Sequence, residues 1–138
     1  MAGAKDWASK RSPSLADIEA LADAAWKRLP LEFRKVCGDI VIRVEDFASE
    51  EVLRDLKLDS PFDLMGLYQG VSLDRRSVMD SARLPDMVTL YRRAMLDYWA
   101  ESEETLGGLV THVLVHEIGH HFGFSDADME QIEAAADG

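Results

Sequence analysis

The stretch Val113 to Asp126 reads VLVHEIGHHFGFSD, and it narrows the choice of structure more than any other part of the chain. Within it His116, Glu117 and His120 form H-E-x-x-H, with Gly123 and then Asp126 following at intervals of three residues. Residues four apart on a helix share a face, with Cβ atoms about 5–6 Å apart, so two imidazoles at that spacing can converge on one divalent ion. Glu117 sits about 100° around the same helix. From there a carboxylate reaches water beside the ion without occupying the ion itself, which is what a general base requires. Catalytic zinc takes three protein ligands and keeps one position for water. A glycine just past the helix end can adopt positive φ and turn the chain back, which offers Asp126 as the third ligand. Ser125 and Asp128 match a capping box and leave Asp126 free for that duty.

Chance produces the full string in about one of ten thousand chains of this composition, whereas H-E-x-x-H alone arises in about one of a hundred. The string is therefore read as a Zn²⁺ site with ligands His116, His120 and Asp126 and with Glu117 as the base. Two further histidines stand close by. His112 lies four residues before His116 but lacks a correctly placed base and turn, and is expected to pack or to hydrogen-bond a nearby carboxylate or carbonyl. His121 points about 140° away from His116 on helical geometry and is expected to be a structural or surface residue.

The rest of the chain supplies a scaffold. From Ser14, Leu15, Ile18, Ala22, Ala25 and Leu29 recur at helical spacing until Pro30, with Ser14 and Asp17 set as a capping box. Asp39 to Asp46 alternates Ile40, Ile42 and Val44 against Val41, Arg43 and Glu45, the period of a half-buried strand. Glu50 to Leu56 reads as a short helix. Leu64 to Gln69 and Met87 to Tyr91 read as two more strands, separated by a polar stretch containing Arg75, Arg76 and Ser77. Helical spacing returns over Arg92 to Ala100, over Ser102 to Phe122, and over Ala127 to Ala136. Helices at both ends of a small sheet of about three strands predict an α+β domain with one core. Residues 1–13 are expected to form a flexible arm and residues 14–138 a single domain; a chain of 138 residues seldom builds two.

Charge sorts the partners. A formal net charge of -11 repels a phosphate backbone, so nucleic acid is not an expected partner. The excess is local: residues 101–138 carry 9 acidic side chains and none that is basic. No apolar run approaches the roughly 18 residues of a membrane span. The single cysteine, Cys37, excludes an intrachain disulfide and is expected to be a buried apolar group. A cytoplasmic location is the resulting expectation.

At the H-E-x-x-H string the sequence resembles the zincin-like metallopeptidases, and over the longer string it is similar to the metzincin group, where a glycine turn delivers the third ligand. Together with RLPLEFRKVCGDIVIRVEDF, GLYQGVSLDRRSV and LPDMVTLYRRAML, it resembles a family of small bacterial zinc metallopeptidases over residues 29 to about 133. The resemblance implies a minimal zincin-like fold, with a short mixed sheet beside an active-site helix and Zn²⁺ held by His116, His120 and Asp126. Two features depart from full-size metzincins. Only 12 residues follow Asp126, and Met129 is too close to serve as a methionine turn. Asp also replaces a third His, giving a harder, anionic ligand.

The expected activity is hydrolysis of peptide bonds in a peptide or protein substrate. The strand at Leu64 to Gln69 is expected to hold an extended peptide, with Tyr68 or Tyr91 near the oxyanion. A zinc-binding interaction module without catalysis, and hydrolysis of a non-peptide amide, are the alternatives.

Overall fold

The computed structural model describes residues 3–70 and 85–137; the polar stretch with Arg75, Arg76 and Ser77 lies outside them. A five-residue helix, Ala4–Ala8 (α1), exposed along its length, stands within the segment expected as an arm. The next helix, Leu15–Arg28 (α2), starts where the capping box predicts. The Ser14 hydroxyl accepts the Asp17 N–H at 3.1 Å, and the Asp17 carboxylate accepts the Ser14 N–H at 2.8 Å. Its face of Ile18, Ala22 and Ala25 is buried.

Pro30 ends α2 and also starts a helix that the sequence pattern did not announce, Leu31–Cys37 (α3). Proline lacks an N–H and fixes φ, and both properties suit a helix entrance as well as a helix exit. Two turns are too short to display periodicity, but Phe33 and Cys37, four apart, face the core. Strand Ile40–Glu45 (β1) follows and alternates half-buried and exposed residues as its sequence predicts. After helix Glu50–Asp55 (α4) and a 3₁₀ turn at Pro61–Asp63 come strands Gly66–Gln69 (β2) and Asp86–Tyr91 (β3). Helices Arg92–Glu101 (α5), Leu106–Phe122 (α6) and Asp126–Asp137 (α7) complete the order. The sequence pattern starts α6 at Ser102, yet it begins four residues later. Thr105 is the actual cap, its hydroxyl accepting the Gly108 N–H at 3.1 Å, while Ser102 closes α5 through its N–H to the Trp99 carbonyl.

β3 is the central strand. It pairs in parallel with β1 from Ile40↔Asp86 to Glu45↔Tyr91 and antiparallel with β2 from Gly66↔Leu90 to Gln69↔Met87. Among the described residues, seven helices and a mixed three-stranded sheet make this an α+β fold consistent with the zincin-like expectation. The α6 helix runs through the middle. Leu109, Val110, Val113, Leu114, Val115 and Ile118 are all buried, so apolar side chains occupy nearly every side of its upper turns, as a central core helix requires. Around it pack α2, α5, α7 and the strands β2 and β3. Arg92 ties the N-terminal segment to the end of the sheet: its guanidinium donates to the Pro13 carbonyl at 2.5 Å, to Asp46 Oδ1 at 3.0 Å and to Ser12 Oγ at 3.0 Å. No helix among the described residues is long and apolar enough to cross a membrane.

Helix α7 reaches α6 at one close point. A Cβ placed on Gly119 would meet Met129 Sδ and would stand 2.8 Å from Met129 Cγ. Met129 is fully buried and has little room to retreat. Gly119→Ala should therefore destabilise the fold by about 1–2 kcal/mol, an overpacking cost in the upper part (about 2–3 kcal/mol) of the usual range, since two Met129 atoms are met, partly offset by alanine's gain of about 1 kcal/mol in helix propensity. Urea unfolding midpoints measure this, and a midpoint equal to or above that of the parent would contradict the close approach. Burial pushes the Cys37 thiol up to about 11. A thiol reagent at pH 8 should label the native chain slowly and the urea-unfolded chain rapidly.

Candidate active site

The C-terminal end of α6 is closed by a glycine turn. Gly123 takes φ 76° and ψ 24°, the left-handed conformation that only glycine adopts without strain. Its N–H reaches the His120 carbonyl at 3.2 Å, and the Phe124 N–H reaches the Gly119 carbonyl at 2.9 Å, the paired bonds of a Schellman motif. The chain then reverses into α7. Ser125 and Asp128 exchange the reciprocal hydrogen bonds of a capping box, at 3.1 and 3.3 Å, and Asp126 is left as the first, exposed residue of α7.

This reversal sets α7 antiparallel to α6, with Gly119 against Met129 and the upper histidines against Glu133. His112, His116 and His120 succeed one another at four-residue intervals on α6. The His112 and His116 rings lie 4.0 Å apart, and the His116 and His120 rings 5.7 Å apart at 85°. His116 is the most telling of the three. Its Nε2 is buried and has no hydrogen-bond partner among the described residues. Burial of the ring, and secondarily the neighbouring His112, hold its pKa below the usual imidazole value; the charges of Glu133 and Asp126 oppose that shift. A neutral imidazole with an unpartnered, inward-facing nitrogen is the form in which histidine binds a metal. The donor set around it, imidazoles with carboxylates, also suits zinc and its neighbours in the first transition row. The residues present fit a divalent ion.

Glu117 stands on another side of α6, beside β2. Its carboxylate accepts a hydrogen bond from the Tyr68 N–H, yet its pKa is raised above the usual carboxylate value because burial outweighs the opposing pull of His120 and of that bond. The strand comes this close because residue 66 has no side chain. A Cβ on Gly66 would stand 2.8 Å from Val113 Cγ1 and 3.1 Å from Glu117 Cγ. Sequence reasoning did not single out Gly66, although a lone glycine within a strand signals close backbone approach.

Tyr68 donates its hydroxyl to Asp86 Oδ2 at 2.5 Å and stacks its ring on His121, centroids 3.9 Å apart. His121 is exposed, as its helical angle predicts. Tyr91 is buried, and its phenol pKa is raised by that burial and then by the charges of Glu45 and Glu117. Among the described residues, the side chains whose ligand atoms fall within 4.8 Å of one another are His112, His116 and Glu133. His120 and Asp126 are not in that group, though Asp126 is near enough for its charge to act on His116. Glu133 was not anticipated. Its signal was its place seven residues after Asp126, two helical turns along the same face of α7.

No curated protein matches the chain. A family model described as zincin-like metallopeptidase matches residues 37–136, from the end of α3 to the last turn of α7. That span holds the whole sheet, the glycine turn and the histidines of α6 in one continuous match, and the chain belongs to the zincin-like metallopeptidase family.

Proposed function

We propose that this chain is a zinc-dependent peptidase in which His116, His120 and Asp126 hold the ion and Glu117 is the general base. The observation that carries the reading is the buried, unpartnered Nε2 of His116, four residues from a second imidazole and adjacent to a carboxylate of raised pKa. When bound, a zinc ion supplies Lewis acidity and makes water acidic enough to ionise near about pH 7. The protein's own contribution is positional. Glu117, held against β2 by the Tyr68 N–H, takes a proton from the attacking water and passes it to the leaving amine, so that the carboxylate ends as it began. Its partly buried setting favours the protonated form it must adopt between those transfers.

The substrate is an extended peptide lying along β2, the strand that brings its backbone to Glu117. The Tyr68 hydroxyl is engaged by Asp86, and its ring by His121, so Tyr68 serves to position β2. The free thiol of Cys37 agrees with a reducing, cytoplasmic setting. Net negative charge favours a protein or peptide partner over nucleic acid.

Glu117→Gln keeps the shape of the side chain and removes the base. It should lower peptide hydrolysis by about 10²–10⁴-fold while zinc content and circular dichroism stay as in the parent. Equal turnover in both proteins would reject Glu117 as the base, and no turnover of a diverse peptide library by either would favour a zinc-binding module without catalysis. Gly66→Ala forces β2 away from Val113 and Glu117. Its expected effect is a loss of turnover with zinc binding retained, measured by steady-state kinetics beside metal analysis.

A further inference from the structure

We infer that α6 and α7 form a second divalent-cation seat, made by His112, His116 and Glu133, which excludes the catalytic seat because both need His116 Nε2. His112 Nδ1 lies 2.7 Å from Glu133 Oε1, and His116 Nε2 lies 3.9 Å from Glu133 Oε2. A tetrahedral ion with bonds of about 2.0–2.1 Å holds its donors about 3.3 Å apart. The two observed separations straddle that value, so small movements of two side chains would complete the set.

The polar atoms point to an occupant. Among the described residues, Glu133 Oε1 and His116 Nε2 are both buried without a hydrogen-bond partner, so the short approach of His112 to Glu133 has ion-pair distance but not hydrogen-bond alignment. Leaving a buried donor or acceptor unpaired is unfavourable, more so when the group is charged. One cation between these atoms would satisfy both. Two imidazoles with one carboxylate select a transition-row ion such as Zn²⁺ or Co²⁺ over Mg²⁺ or Ca²⁺, which take oxygen ligands.

Helix geometry explains how one nitrogen comes to serve two seats. His112 and His120 flank His116 at four residues on either side, and α7 runs antiparallel with Asp126 and Glu133 seven residues apart. His112 and His116 both approach Glu133, while Asp126 is near enough for its charge to act on His116. An ion on the second seat withdraws His116 from the H-E-x-x-H pair and leaves Glu117 without a centre to serve. The exclusion rests on the peptidase reading above; the seat itself does not.

The test is titration of the full chain with Co²⁺ alone, followed by calorimetry and by the visible absorption of the bound ion. The parent should bind one ion. His120→Asn removes the catalytic seat and should still bind one, and Glu133→Gln removes the second seat and should also still bind one. The double variant should bind none. His112→Asn in the His120→Asn background should weaken binding at least tenfold, which provides a second removal of the seat at an exposed position. Circular dichroism without cation checks that each variant keeps its helices. Loss of binding in His120→Asn alone would overturn the second seat and leave the peptidase reading standing, as would an interaction of His112 with Glu133 that never admits an ion. Two ions per parent chain would overturn the exclusion. Loss in Glu133→Gln alone would support the second seat and remove the ion from the proposed catalytic one, and a parent that binds no ion would overturn both.

Discussion

Burying an imidazole nitrogen with nothing to bond it is unfavourable by about 1–3 kcal/mol, and this fold is arranged so that His116 is in that state. The ring lies between the His112 and His120 rings and faces Glu133 across the helix pair. Val113, Leu114, Val115 and Ile118 bury the flanking turns of α6 and fix the helix that carries His116. A site of this kind is costly when bare and favourable when filled, which links cation binding to the stability of the helix pair.

The second constraint is the way α7 is brought back. The left-handed Gly123 sets the reversal, and Gly119 lets Met129 approach until the two helices nearly touch. These two glycines act on the same interface from different positions, one by its φ and the other by its missing side chain. Together they place an acidic helix opposite a ladder of histidines. The same economy recurs on the other side of α6, where Gly66 lets β2 lie against Glu117. Small residues thus set the distances on both flanks of α6, while bulky apolar residues fix the helix between them.

Much of this was legible in the sequence where a local pattern corresponds to a local structure. The Ser14 and Ser125 capping boxes, the alternation along β1 and the glycine after α6 all describe contacts within a few residues of each other, and each forms as read. The α3 helix and the true start of α6 escaped because proline and serine permit either end of a helix, and tertiary packing decides between them. The sheet order was not legible, since pairing β1 in parallel with β3 across the chain depends on contacts distant in sequence. Within the site, the H-E-x-x-H residues stood out because their spacing is the helical repeat. Glu133 did not, because its meaning arises only when α7 folds back on α6, and His112, read as a residue that packs or bonds a carboxylate, proves to face that Glu133 carboxylate.

The central claim is that the unpartnered nitrogen of His116 exists to hold a divalent ion. Zinc content after exhaustive dialysis, measured on the parent chain and on His116→Asn, tests it most directly. The account predicts one zinc per parent chain and none in the variant, since either seat needs that nitrogen. Equal zinc in the two proteins, or none in the parent, would contradict it.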